Sequence, residues 1–311
     1  MIVSQSWDLP ARKAKAEYQE LLQAIEEKDL REWVRVLSVP RSFTAQPEEN
    51  RATANWIATQ LKSGGYDVTF QGRYYNVVAL PPVIGLPLVL TGAHFDSVAN
   101  TPGADDNASA VAAMLGVAKA FAGQPIAEQI GFVSFNCEED GLLGSADFVN
   151  HVLVPPRIPV ACAHILEMVG YASSLEHSQA VPPGLPIRVR TTGDFLGVLG
   201  NRDSAQPLRE ILATARTYLP ELRTIGLRVT LGIKQYFPVL QRSDHAPFWR
   251  QRLPAVMWTD TSEFRNNNYH SPNDLPETLD YKFLCNITRL LAVTIARQCD
   301  HIRHEKTRRN R

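Results

Sequence analysis

From about residue 67 onward the chain alternates short apolar or β-branched runs with longer amphipathic stretches, and this alternation limits the fold more than any other feature. The runs lie at 67–70, 75–79, 86–92, 130–136, 162–166, 187–190, 228–231 and 255–259. Between them, apolar residues recur at helical spacing over 109–121, 143–152, 206–218, 246–252 and 279–301. Several runs are apolar almost throughout, as strands covered on both faces require. Such strands separated by helices build a sheet between two helical layers. The pattern predicts an α/β three-layer sandwich around a mixed, mostly parallel central sheet of about eight strands.

Residues 11–64 carry a helical pattern of their own, with Tyr18, Leu21, Leu22 and Ile25, then Trp33, Val34 and Leu37, then Trp56, Ile57 and Leu61 at apolar positions. Lys62-Ser63-Gly64-Gly65 ends this region with glycines suited to a left-handed cap. No internal repeat or low-complexity linker divides the chain, so 1–300 is expected to be one domain with the helices of 11–64 packed on it. In 301–311, Arg303, Lys306, Arg308, Arg309 and Arg311 stand against the single carboxylate Glu305, and a disordered basic tail is expected there. The Pro-, Gly- and Ser-rich stretch 172–200 is expected to loop over the sheet edge or the site, and it and 232–241 are expected to be loops that set substrate specificity.

A chain of 311 residues buries roughly three quarters of its unfolded surface, so its core needs neither disulfide nor structural metal. A metal found here would therefore serve chemistry. Thirty-two Lys and Arg balance 32 Asp and Glu, which leaves no basic field for nucleic acid or a membrane surface. The longest apolar run, 78–90, is broken by Pro81, Pro82 and Pro87 and is too short for a membrane span. The N-terminus lacks the basic start and apolar run of a signal peptide. Cys137, Cys162, Cys285 and Cys299 are scattered, as reduced core thiols are, and a cytoplasmic location is expected. No exposed apolar helix marks an oligomer interface, so the oligomeric state stays open.

In an open α/β sheet, ligands bind beyond the carboxyl ends of the strands. His94 and Asp96 follow the run at 86–92, Glu138 and Glu139 follow 130–136, Glu167 follows 162–166, and Asp260 and then His270 follow 255–259. Singly, each has a bland reading: a lone His is usually hydrogen-bonded or at the surface, and a Glu-Glu pair is usually a solvated face. Joint placement at four strand ends is something an apolar core does not demand. Imidazole and carboxylate together suit zinc.

Six segments, TGAHFDS (91–97), PGADDNASA (102–110), FNCEEDGLLGS (135–145), LEMVGY (166–171), RSDHAPF (242–248) and YHSPND (269–274), resemble the di-zinc exopeptidases of the bacterial leucyl aminopeptidase type. Glutaminyl cyclases and glutamate carboxypeptidase II share that fold. The resemblance runs from about Asp29 to Arg297, in the family's order and spacing. It implies that His94, Asp106, Glu139, Glu167 and His270 ligate two zinc ions. Asp106 would bridge them, with His94 and Glu167 completing one site and Glu139 and His270 the other, and a cis peptide would follow Asp106. Three carboxylates against two Zn²⁺ leave one positive charge, which a bridging hydroxide would neutralise; such sites lower the pKa of water toward about 7.

The resemblance further implies Glu138 as the general base, Tyr269 as a stabiliser of the oxyanion, and Asp96 as the acceptor of the second N–H of His94. Asp244 would orient the site or bind the substrate amine, and His245 would be structural. Many relatives carry Asp where this chain has Glu167. The implied activity is that of a zinc-dependent aminopeptidase acting on peptides with a free N-terminus. The alternatives are a glutaminyl cyclase-like acyltransferase with one zinc, a carboxypeptidase of the same fold, or a non-catalytic relative, which would have lost ligands. His151, His164 and His177 match no motif; Met114, Leu115 and Val117 sit at core spacing, and Cys137 reads as an inert thiol.

Overall fold

The computed structural model describes residues 1–229 and 237–309. Among these residues, nine strands form one mixed sheet: β1 (Ile2–Gln5), β2 (Val68–Gln71), β3 (Asn76–Ala79), β4 (Leu88–His94), β5 (Ile130–Phe135), β6 (Val160–Glu167), β7 (Phe195–Gly200), β8 (Arg223–Arg228) and β9 (Ala255–Thr259). Their order is β1-β8-β7-β9-β6-β4-β5-β3-β2. The central four, β5, β4, β6 and β9, run parallel, as β8 does to β7. The pairs β1–β8, β7–β9, β3–β5 and β2–β3 are antiparallel. Four carboxyl ends therefore open side by side at one edge.

The described helices are α1 (Ala16–Gln23), α2 (Glu27–Leu37), α3 (Pro47–Ser63), α4 (Ala110–Phe121), α5 (Leu143–Phe148), α6 (Ala205–Tyr218), α7 (His245–Arg250) and α8 (Tyr281–Arg309). Alternation along the strands divides the core into two layers. Val89, Ala93, Cys162 and Leu166 pack with α1–α4, α6 and α8, whereas Leu88, Leu90, Ala163 and Ile165 pack against Phe148, Phe248 and Trp249 of α5 and α7. Helix α4 is apolar on every side except at Lys119, and all its other residues are buried. It starts four residues after Asp106 and so fixes the ligand segment to the centre of the molecule.

Several boundaries differ from the sequence pattern. The run at 187–190 forms no ladder: Ile187 and Val189 turn inward while Arg188 is exposed and Arg190 pairs with Asp194, so its period of two reflects a wall and not a strand. The short edge strand β1 and the glycine-containing β7 were not anticipated, and the eighth strand precedes the expected 228–231, of which 230–231 lie outside the described residues. The cap after α3 is as expected, with Gly65 at φ 83°.

The disordered tail expected over 301–311 is corrected for 301–309, because α8 continues through Arg309; 310–311 lie outside the described residues. Ile302 packs against the core, His301 pairs with Glu305 one turn on, and Arg303 and Lys306 donate to the carbonyls of Pro125 and Gly85. Arg303 and Lys306 are thus held against the body of the protein. Among the described residues no helix is long and apolar enough to cross a membrane.

Candidate metal centre

His94 ends β4, Glu138 and Glu139 lie in the turn after β5, Glu167 ends β6, and His270 comes from the loop after β9. Asp106 stands in a kinked segment leading into α4, and the peptide between Asp106 and Asn107 is cis. Gly103, at φ 61°, starts this segment; a Cβ there would lie 2.2 Å from the Asp106 carbonyl oxygen, so the turn excludes any other residue.

The donor atoms form two groups around Asp106. Oδ1 of Asp106 is 3.3 Å from His94 Nε2, which is 3.6 Å from Glu167 Oε1. Oδ2 of Asp106 is 3.1 Å from His270 Nε2, which is 3.3 Å from Glu139 Oε2. Ligand atoms about 2.0–2.1 Å from a tetrahedral zinc stand about 3.3 Å apart, so these separations are those of neighbouring ligands. His94 Nε2, Asp106 Oδ1 and Glu139 Oε1 are buried without a hydrogen-bond partner, a costly state for polar atoms unless an ion takes them up. The donor set fits two divalent cations, with one oxygen of Asp106 turned to each. Glu138 lies beside the His94 and Glu167 donors.

The field of this cluster is strongly negative. Burial pushes Glu138 well above the carboxylate range, Glu167, Asp244 and Glu139 add to this, and His94 opposes it. Burial and Asp106 raise Glu139 to about 7. Burial alone would lower His94 and His270. Glu167, Glu138, Asp106 and Asp96 instead hold His94 well above its usual value, and Asp106 and Glu139 bring His270 to about 10. Burial would raise Asp106, but the two imidazoles keep it low.

Asp96 departs from its expected geometry. His94 Nδ1 is 3.5 Å from Asp96 Oδ1 and nearer, at 3.2 Å, to the Asp96 backbone carbonyl. The carboxylate instead accepts the backbone N–H groups of both Glu138 and Glu139. Tyr269 lines the cavity beside the candidate metal ligands and stacks on His270, with ring centroids 3.7 Å apart. Asp244 is fully buried and raised to about 7 by burial, with Glu167 and Asp96 adding to the rise; His245 is also buried and hydrogen-bonds to the Leu240 carbonyl. Glu167 commits one oxygen to the donor group, while Ser243 donates to the other, Oε2, at 2.6 Å.

Several supporting residues fall outside the roles expected from the sequence. Asp274 accepts the backbone N–H groups of Asp105 and Asp106, and Asn107 bonds to the Leu166 carbonyl and the Met168 N–H at the end of β6. Arg41 is fully buried behind the cluster and donates to the carbonyls of Phe95, Val39, Pro102 and Gly103. The RSDHAPF and YHSPND segments could have pointed to Ser243 and Asp274; nothing distinguished Arg41 from a surface arginine.

A cavity of about 490 Å³ adjoins the cluster. Much of its wall is apolar, with Leu142, Leu185, Phe195, Leu199, Leu227 and Met257 among the lining residues.

A family model described as peptidase family M28 matches residues 77–295, which include all five candidate ligands. The chain belongs to this family. It is accordingly a metallopeptidase. This M28 chain is 32% identical to YfbL of Escherichia coli strain K12, a protein described only as uncharacterised, over 270 residues and 80% of each chain. It is 43% identical to aminopeptidase YwaD of Bacillus subtilis over 190 residues, 60% of this chain but 36% of YwaD. Its fold is that of the Legionella pneumophila LapA aminopeptidase, with a TM-score of 0.72 at 20% identity over 94% of this chain and 76% of LapA.

Proposed function

We propose that this M28 chain is an aminopeptidase that removes the N-terminal residue of peptides with two zinc ions. The observation that carries the reading is Asp106, whose two carboxylate oxygens each face a separate imidazole–carboxylate pair. YwaD and LapA, both described as aminopeptidases, support the same activity.

When bound, the ions would supply Lewis acidity to a water molecule and to the scissile carbonyl. Glu138, held among Glu167, Asp244 and Glu139, is the group suited to take the proton of that water and return it to the leaving amine. Tyr269 would donate its hydroxyl hydrogen to the carbonyl oxygen as charge develops there. The surplus of carboxylates favours a substrate with a free α-ammonium group, and the apolar cavity favours an apolar N-terminal side chain. Four buried free thiols suit the reducing cytoplasm.

The test is a panel of aminoacyl-coumarin amides, N-blocked counterparts and a carboxypeptidase substrate, each with and without chelator, alongside metal analysis. Two zincs per chain and chelator-sensitive cleavage of free-amine substrates alone are expected. Cleavage of blocked peptides alone would overturn the aminopeptidase reading.

A further inference from the structure

Arg242 sits at the rim of the cavity, directly after the short helical turn Pro238–Gln241 and one residue before Ser243. Its half-exposed guanidinium joins two groups. Nη1 pairs with the carboxylate of Glu263, and Nη2 donates to the Tyr269 hydroxyl at 2.9 Å. The other face of the arrangement is fixed as well, because the Tyr269 ring lies on the His270 imidazole with 20° between their planes.

A phenol has one hydrogen to give and lone pairs to receive with. Since Arg242 can only donate, it occupies a lone pair and leaves the Tyr269 hydrogen free to turn into the cavity. A hydroxyl that accepts a charge-assisted hydrogen bond is also polarised into a stronger donor. Glu263 anchors the guanidinium from the far side, so the fork cannot swing away without losing an ion pair.

We propose that Arg242 is a positioning residue for hydrolysis: it holds the Tyr269 hydroxyl so that its hydrogen faces the oxygen of the scissile carbonyl, with Glu263 holding Arg242. The inference rests on the aminopeptidase reading above. A substrate-binding role would look different, since an arginine that gripped a peptide carboxylate would act on KM and would be silent toward a coumarin amide.

The experiment compares zinc-loaded wild type with Arg242→Met, Arg242→Lys, Tyr269→Phe and the Arg242→Met/Tyr269→Phe double variant. The readouts are steady-state kinetics on an aminoacyl-coumarin amide, zinc content, and calorimetric binding of an alkylboronic acid, which turns tetrahedral on ligation, and of the free product amino acid. Arg242→Met should lower kcat about tenfold or more with KM within about twofold, and Arg242→Lys should restore most of that loss. The double variant should be no slower than Tyr269→Phe. Boronic acid binding should weaken about as much as kcat falls, with product binding and zinc content unchanged. Unchanged kcat in Arg242→Met, a loss confined to KM, fully additive losses, or a fall in zinc content would each overturn the proposal. Tyr269→Phe costing nothing in an otherwise active enzyme would overturn it while sparing the peptidase reading; wild type inactive on every free-amine substrate would overturn both.

Discussion

Oδ1 of Asp96 accepts the backbone N–H of Glu138 at 3.2 Å. The second oxygen of Asp96 accepts the next N–H, that of Glu139, so one carboxylate sets the direction of both the proposed base and a candidate metal ligand through their backbone. His94 Nδ1 stands 3.5 Å from the same Oδ1. Replacing Asp96 by Ala removes the acceptor of two buried N–H groups, at a cost of about 1–3 kcal/mol for each. Zinc affinity should fall about 10- to 100-fold, read by competition with a chromophoric chelator. Wild-type affinity in Asp96→Ala would limit Asp96 to a stabilising role.

Glu138→Gln keeps shape and burial but removes the proton acceptor. Turnover should drop by about 10²–10⁴-fold while two zincs remain bound by metal analysis. A rate near wild type would sink the base assignment, and a lost metal would make Glu138 a ligand.

Ser243 holds the Glu167 oxygen that faces away from His94. Without that hydrogen bond Glu167 is free to rotate, or to offer both oxygens to one ion. Ser243→Ala should weaken one of two zinc sites by about 10-fold or more and leave the other unchanged, giving a split titration. A single unshifted transition would rule this out.

Metal removal should have a pH signature. In the metal-free chain burial holds Glu139, Asp244 and Asp274 at about 7, with Asp106 adding for Glu139, Glu167 and Asp96 for Asp244, and Asp105 for Asp274; His270 is held at about 10 by Asp106 and Glu139 against its burial. All four folded values lie above the unfolded ones. The folded metal-free chain therefore binds extra protons, from about pH 4 to 7 for the carboxyls and from about 6.5 to 10 for His270, and it loses stability as pH rises through those windows. The melting-temperature gap between zinc-loaded and chelated protein should widen from pH 5 to pH 7.5. A constant gap would contradict the account.

His164 acts in the opposite sense. It is fully buried; Trp258 Nε1 donates to its Nδ1 at 3.1 Å and its Nε2 meets Gln298 Oε1 at 2.9 Å, so a second proton would oppose the Trp donor. Burial lowers its pKa to about 4, with Gln298 resisting. Because the folded value is below the unfolded 6.5, this contribution is complete above about pH 6.5 and is lost as pH falls toward 4, up to about 3 kcal/mol. His164→Gln should flatten the urea midpoint between pH 6.5 and 4.5 relative to wild type; parallel curves would refute the assignment.

Four of the candidate ligands, His94, Glu139, Glu167 and His270, were legible both from strand-end placement and from motif order, whereas Asp106 came from its motif alone. Arg41 was not legible: it acts on backbone groups, and such contacts leave no spacing in the sequence to read. The run Ile187–Val189 alternates like a strand because one side faces a cavity, and hydropathy cannot tell a cavity wall from a sheet face. Residues 301–309 are helical because Pro125 and Gly85, remote in the chain, receive two of the cations that composition alone would scatter into solvent.

The buried guanidinium of Arg41 bears on where the working unit begins. Its burial lowers its pKa to about 10 while Asp274, Asp106, Asp96 and Glu139 resist the fall, so at neutral pH it remains a fixed cation beneath the carboxylates. On the same N-terminal stretch Asn50 exchanges two 2.9 Å hydrogen bonds with Asn136, the residue that leads into the Glu138 turn. Both precede residue 77, where the shared family region starts. A fragment cut to that region would keep every candidate zinc ligand yet lose a counter-charge and a tether, and would be a reservoir of mutually repelling acids with nothing behind them.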